Sequence, residues 1–221
     1  MASFFSTDSK LYRFMSRFTE LVKISLLWLV FSLPIVTLGI STIAAFTVTL
    51  HMADGQEGYV GREFLHAFKS NWKQGIPMSF ITLLCIWVLY LDFQLCRAAQ
   101  ENTVLFLIAG IVTAYIFVFS FLYVYPLLAR YENTVMNSLK NSFSIGMRYF
   151  LRSLLLVFIV AVEVVTIAWN YTTLFVGALV GSGIIMYTIS GFAMAIFREL
   201  EKIPGTVPAK ENTEDTEDTE D

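Results

Sequence analysis

Four stretches of the chain, about 75–95, 103–128, 150–169 and 172–197, stay apolar for 20 residues or more. Roughly 20 residues of helix cross the hydrocarbon of a bilayer. Backbone exposed to lipid must satisfy its own hydrogen bonds, which a helix does internally. Composition agrees: 56% of the residues are hydrophobic and 15% charged, where soluble domains hold about 25% charged residues. The fold class expected is all-α, a polytopic helical membrane protein.

The region 24–52 decides the number of crossings. As one straight helix it would be about 43 Å long and strongly tilted in a core of about 30 Å. Within "FSLPIVTLGIS" (31–41), Pro34 removes a backbone donor and Gly39 eases a turn. Cytoplasmic loops collect Lys and Arg. With one crossing here, the better orientation puts ten bases inside and five outside. With a hairpin, fourteen lie inside against Arg97 alone.

The sequence therefore predicts six membrane segments, about 18–35, 35–52, 75–95, 103–128, 150–169 and 172–197, the first two a short hairpin. Both termini then face the cytoplasm, across a bacterial plasma membrane. A re-entrant loop that stops short of the far surface stays open as an alternative, since both arms are short. Ahead of the hairpin, Leu11, Phe14, Met15, Phe18 and Val22 recur at helical spacing, which predicts an amphipathic helix over 8–20 on the inner surface.

The net charge of −3 comes from "TEDTEDTED" (213–221), six acids in nine residues. Residues 1–202 are expected to form a single membrane domain and 203–221 a disordered acidic tail. Cys85 and Cys96 lie in one predicted helix and its end, about 16 Å apart, beyond disulfide reach.

The two large cytoplasmic connections echo each other. "FKSNWKQGI" (68–76) aligns without gaps on "LKNSFSIGM" (139–147), matching Lys69 to Lys140, Trp72 to Phe143 and Gly75 to Gly146. A repeat of two helix–elbow–helix units, 35–95 and 103–169, and convergent interfacial chemistry both fit. Each elbow reads as a short amphipathic helix. Phe64, Phe68 and Trp72 stripe the first, beside Arg62, Lys69 and Lys73; Asn71 lies between. In the second, Val135, Leu139 and Phe143 form one stripe, and Asn133, Asn137 and Asn141 another about 200° around. The plain expectation is a helix half in the interface and half in water. The sharper one is a docking face for a partner, carried by Phe68, Lys69, Asn71, Trp72, Asn133, Asn137, Lys140, Asn141 and Phe143.

Two acids fall in apolar surroundings, Asp92 near the end of "LLCIWVLYLDFQL" and Glu163 inside "LLLVFIVAVEVVTIAW". An intramembrane carboxyl is costly and calls for a partner; Arg97 is the candidate for either. A structural acid, neutral or paired, is favoured over a transport path, because matching polar residues are missing nearby. Gly177 and Gly181 fit a small-xxx-small contact, inside one chain or between copies in a homo-oligomer. No HExxH, Cys cluster, GxxxxGK or GxSxG occurs, so neither enzyme activity nor a metal or cofactor is expected. The bilayer is the expected partner, and nucleic acid is not.

Three stretches, "LLWLVFSLPIVTLG" (26–39), "FLHAFKSNWKQ" (64–74) and "YPLLARYENTVMNSLKNSF" (125–143), resemble the YesL-like family of bacterial membrane proteins, classed under a domain of unknown function. The resemblance covers about 1–200. It implies a companion of carbohydrate ABC importers, through the genes such proteins sit beside, with the permease or its ATPase as partner. It supplies no catalytic residues.

Overall fold

The computed structural model describes residues 10–56, 58–98, 103–131 and 133–202, and among them every regular element is a helix. Five stretches are long and apolar enough to cross a bilayer: Ile35–Ala53, Trp72–Ala98, Val104–Arg130, Phe150–Ala168 and Tyr171–Leu200. They fit a multi-pass membrane protein. The sequence reading expects six, and the difference lies in the first helix. α1 (Lys10–Ser32) runs unbroken through the expected surface helix and the expected first arm. Its first half carries Lys10, Arg13, Arg17, Glu20 and Lys23. The uncharged remainder, about ten residues, reaches only about 15 Å. Residues 8 and 9 and the acidic tail 203–221 lie outside the described residues.

The stretch 31–41 is the tip of a helical hairpin. Pro34 is extended (φ −74°, ψ 115°) and ends α1; a 3-10 turn at Ile35–Thr37 then leads into α2 (Leu38–Ala53). The Thr37 hydroxyl donates to the Phe31 carbonyl at 2.6 Å, satisfying an acceptor that the helix end leaves open. The arms run antiparallel, joined by Trp28 Nε1 donating to Thr42 Oγ1 at 3.0 Å and by the Ser32 and Ser41 hydroxyls at 2.6 Å.

α2 is the centre of the molecule. It is buried without a break from Gly39 to Leu50, enclosed by α1, α3 (Val60–Ser70), α4 (Trp72–Ala98), α6 (Val124–Arg130) and α9 (Tyr171–Leu200). A helix that is apolar on all sides belongs inside a protein. Its hydroxyls are tolerated because they bond locally: Thr47 donates to Ile43 O and Thr49 to Ala45 O, and Thr49 also meets Ser190 on α9 at 2.7 Å. α4 and α5 (Thr103–Leu122) pair with each other and expose long apolar faces, including Trp87, Phe93, Ile108 and Ile111. In a bilayer those faces meet lipid.

Three fully buried serines join the helices by one device. Ser79 Oγ on α4 accepts from Gly39 N and donates to Val36 O, both at 2.7 Å. Ser142 Oγ on α7 (Val135–Arg148) accepts from Tyr123 N at 3.1 Å and donates to Phe119 O at 3.3 Å, where α5 gives way to α6. Ser25 Oγ on α1 accepts from Gly183 N at 2.8 Å and donates to Val180 O at 3.1 Å on α9. Small polar residues let membrane helices approach closely and bond across the gap.

The two stretches that echo in sequence are not equivalent in structure. Gly75 and Gly146 are both close-approach points, but the break between α3 and α4 falls at Asn71, whose aligned residue Ser142 lies inside α7. The second break, before α8 (Phe150–Ala168), falls at Tyr149. Asn71 can end a helix because its side-chain amide donates to Ala67 O at 2.9 Å; Ser142 is engaged across to α5 instead.

Candidate functional site

The strongest intramembrane candidate is Glu163 on α8. Its Oε1 accepts from Thr188 Oγ1 of α9 at 2.9 Å, and its Oε2 is buried with no protein partner among the described residues. It lines a cleft of about 480 Å³ between α1, α8 and α9, otherwise walled mainly by Phe18, Val162, Val176 and Ile184. Gly177 and Gly181 lie in the same wall. A Cβ on Gly177 would fall 2.4 Å from Ile167 Cγ2, and one on Gly181 2.5 Å from Ile167 Cδ1. The two glycines therefore seat Ile167 of α8 against α9, within one chain.

Asp92 leaves Oδ2 buried without a partner among the described residues, beside Gly110 on α5. Arg97, the expected partner of either acid, instead stacks over Phe93, its guanidinium 5.7 Å from the ring centroid. The reason is helical spacing. Five residues on one helix put Asp92 and Arg97 about 140° apart, where side chains three or four apart would meet. Glu163 finds a hydroxyl on the neighbouring helix in place of a cation.

The elbow helices divide their residues between bundle and surface. In α3, Phe64 and Phe68 face inward, with ring centroids 5.6 and 4.9 Å from that of Phe31. Lys69 and Trp72 are exposed and Asn71 caps the helix. In α7 the fully covered stripe is Ser138, Ser142, Ile145 and Gly146. Asn133, Asn141 and Phe143 are half-buried, while Asn137 and Lys140 are exposed. The two stripes named from the sequence, Val135/Leu139/Phe143 and Asn133/Asn137/Asn141, are both distinct from the covered one. The serines win because Phe119 approaches Gly146 closely enough that a Cβ there would lie 2.9 Å from its ring.

Sequence reasoning misses a set of ion pairs that ties one end of the bundle. Arg198 on α9 pairs with Asp54 just past α2. Arg152 Nη1 of α8 reaches Glu199 Oε2 at 2.6 Å, and His51 meets Glu63 of α3. Arg130 Nε donates to Glu201 Oε1 at 3.0 Å, and the Tyr131 hydroxyl donates to the same oxygen at 2.6 Å. Burial pushes the Tyr131 hydroxyl up, and the Glu201 carboxylate it bonds pushes it further. Partial burial raises Glu201, but the hydrogen bonds from Tyr131 and Arg130 and the Arg130 charge outweigh it, so its carboxyl sits below the usual range. The signal was the charged "RELEK" closing the last apolar run; its partners lie too far away in sequence to be read from it. Among the described residues, no three His, Cys, Asp or Glu side chains gather where a metal could be held, and Cys85 and Cys96 are free thiols.

An all-helical bundle with five membrane-length apolar helices defines the class, a multi-pass membrane protein. Residues 21–93, the hairpin together with α3 and most of α4, match the family described as "Protein of unknown function, DUF624". The uncharacterized protein YesL of Bacillus subtilis (strain 168) is 28% identical over 145 residues, covering 64% of this chain and 68% of that protein. No solved structure matches the chain. Both matches are a likeness to the YesL-like family of unknown function that the sequence motifs imply.

Proposed function

We propose that the chain is a non-enzymatic accessory or assembly partner in the plasma membrane. In this reading α1 and α2 count as two of six segments and both termini are cytoplasmic. The observation that carries it is the division of labour in the elbows. α3 and α7 spend one face on the bundle and leave Lys69, Asn137 and Lys140 exposed, and Trp72, the first residue of α4, is exposed beside Lys69. An exposed Trp on a fixed helical scaffold suits protein contact, and charges at the rim of a contact steer the partner in. The partner implied by the family resemblance is the permease or ATPase of a carbohydrate ABC importer.

Purification of the tagged chain in mild detergent, with partners identified by mass spectrometry, tests this. Stoichiometric recovery of such a permease or ATPase, lost with Trp72→Ala and Lys140→Glu, is expected. Recovery of the chain alone would overturn it.

A second reading, a small-molecule transporter or channel, is favoured by the bare Oε2 of Glu163 beside its cleft. Substrate uptake that depends on the chain and fails in Glu163→Gln would support it over the accessory reading.

A further inference from the structure

We infer that the junction of α1 with the α2–α3 connection holds the headgroup of a phosphoethanolamine lipid. Two adjoining cavities of about 560 and 750 Å³ open there, sharing Glu20, Gly58, Tyr59 and Val60 in their walls. Sites for small ligands run roughly 300–1,000 Å³, so the space is ample.

The depth is that of a membrane boundary. Lys23 is the last charge on α1 before its apolar half, and it lines the larger cavity. Tyr59, 86% exposed, stands at the same place, and aromatic side chains with a polar tip gather at the headgroup level. The Asp54–Arg198 ion pair and the contact of His51 with Glu63 mark the polar end of α2 close by.

The walls carry both signs of charge. Arg17, Lys23 and Arg62 are set beside Glu20 and Glu63. The first turn of α3 also lines the space, and Tyr59 before it offers no side-chain cap. Backbone N–H groups of a first turn lack intrahelical acceptors and favour an anion. Among the described residues, a lone phosphate would meet two carboxylates, and a lone amine three cations. A zwitterion answers both: its phosphate suits Lys23, Arg62 and the α3 first turn, and its primary ammonium suits Glu20. Glu63 already has one oxygen on His51. Arg17 is steadied by donating to the Tyr187 hydroxyl at 3.0 Å.

Native mass spectrometry of the full chain, delipidated in detergent and offered phosphatidylethanolamine, phosphatidylcholine and phosphatidylglycerol in equal amounts, tests the site. One phosphatidylethanolamine per chain should be retained, roughly tenfold over phosphatidylcholine, whose quaternary ammonium has no N–H to give Glu20; that factor corresponds to a charged hydrogen bond. Glu20→Gln should erase the preference between those two lipids, and Arg62→Gln should weaken both. Each variant is checked for an unchanged melting temperature in detergent, with Lys23→Gln as a second phosphate-side variant should Arg62→Gln not fold. Equal retention of phosphatidylglycerol would overturn the zwitterion assignment, and an unchanged preference in Glu20→Gln would overturn the site. Displacement of the lipid by an equal concentration of soluble glycerophosphoethanolamine would overturn the lipid as its source.

Discussion

Gly39 of α2 and Gly75 of α4 meet backbone to backbone. A Cβ on Gly39 would lie 2.4 Å from the Gly75 carbonyl oxygen, and one on Gly75 would lie 2.6 Å from Ile40 Cα. Neither clash can be relieved by turning a side chain, because the opposing atoms are main chain. Gly75→Ala must therefore separate α2 from α4 at the hairpin tip. Overpacking costs about 1–3 kcal/mol, more where backbone has to move. The expected result is a marked fall in melting temperature in detergent. Gly191→Ala is the control: nothing lies within 4 Å of its Cβ position in α9, so it should be neutral or gain up to about 1 kcal/mol from helix propensity.

Directly above that contact, the Ser79 hydroxyl serves Gly39 N and Val36 O together. Ser79→Ala leaves the buried Gly39 N–H without its acceptor, at about 1–3 kcal/mol, and takes from Val36 O the hydroxyl that donates to it. Ser182 differs, since its hydroxyl is buried with no partner among the described residues. Ser182→Ala should cost little or stabilise. Thermal melts of the two variants should separate clearly, and equal losses would remove the clamp as the explanation.

The hairpin, the long apolar helices and the α8–α9 turn were legible because each is written in neighbouring residues. Pro34 followed by Gly39 marks a reversal, and "WNYTT" delivers a capping box in which Asn170 and Thr173 bond each other's backbone N–H. The continuity of α1 was not legible, because its change from a charged face to an apolar one occurs with no helix-breaking residue between them. The buried stripe of α7 was not legible for a different reason. Apolar periodicity reports what avoids water, whereas Ser138 and Ser142 are covered because small residues let helices approach. Glu163 was visible as an oddity in its helix; its partner Thr188 lies 25 residues on and could not be paired from spacing alone.

Glu163→Gln tests what that carboxyl does. The Thr188 hydroxyl donates to Glu163 Oε1, and an amide oxygen accepts the same bond. If the residue holds α8 to α9, the Gln variant should fold and melt within about 0.5 kcal/mol of the parent, as benign substitutions do. Glu163→Leu should lose more, since Thr188 is then left without its acceptor. A Gln variant as damaged as the Leu variant would show that the carboxylate charge itself is needed.

Acid stability should depend on Glu201. Its carboxyl titrates below its ordinary value because Tyr131 and Arg130 hold the charged form more strongly than partial burial opposes it. The unfolded chain then binds a proton more readily than the folded one. The contribution is accordingly complete above the ordinary carboxylate range and is lost as pH falls through the depressed folded value. Melting temperature followed from neutral pH downward should drop across that window, and Glu201→Gln should flatten this part of the curve while lowering the neutral plateau. Tyr131→Phe removes the 2.6 Å hydrogen bond and should move the drop to higher pH without abolishing it, because Arg130 remains. If Glu201→Gln and the parent followed parallel curves, the tie between the ends of α6 and α9 would contribute nothing to acid stability.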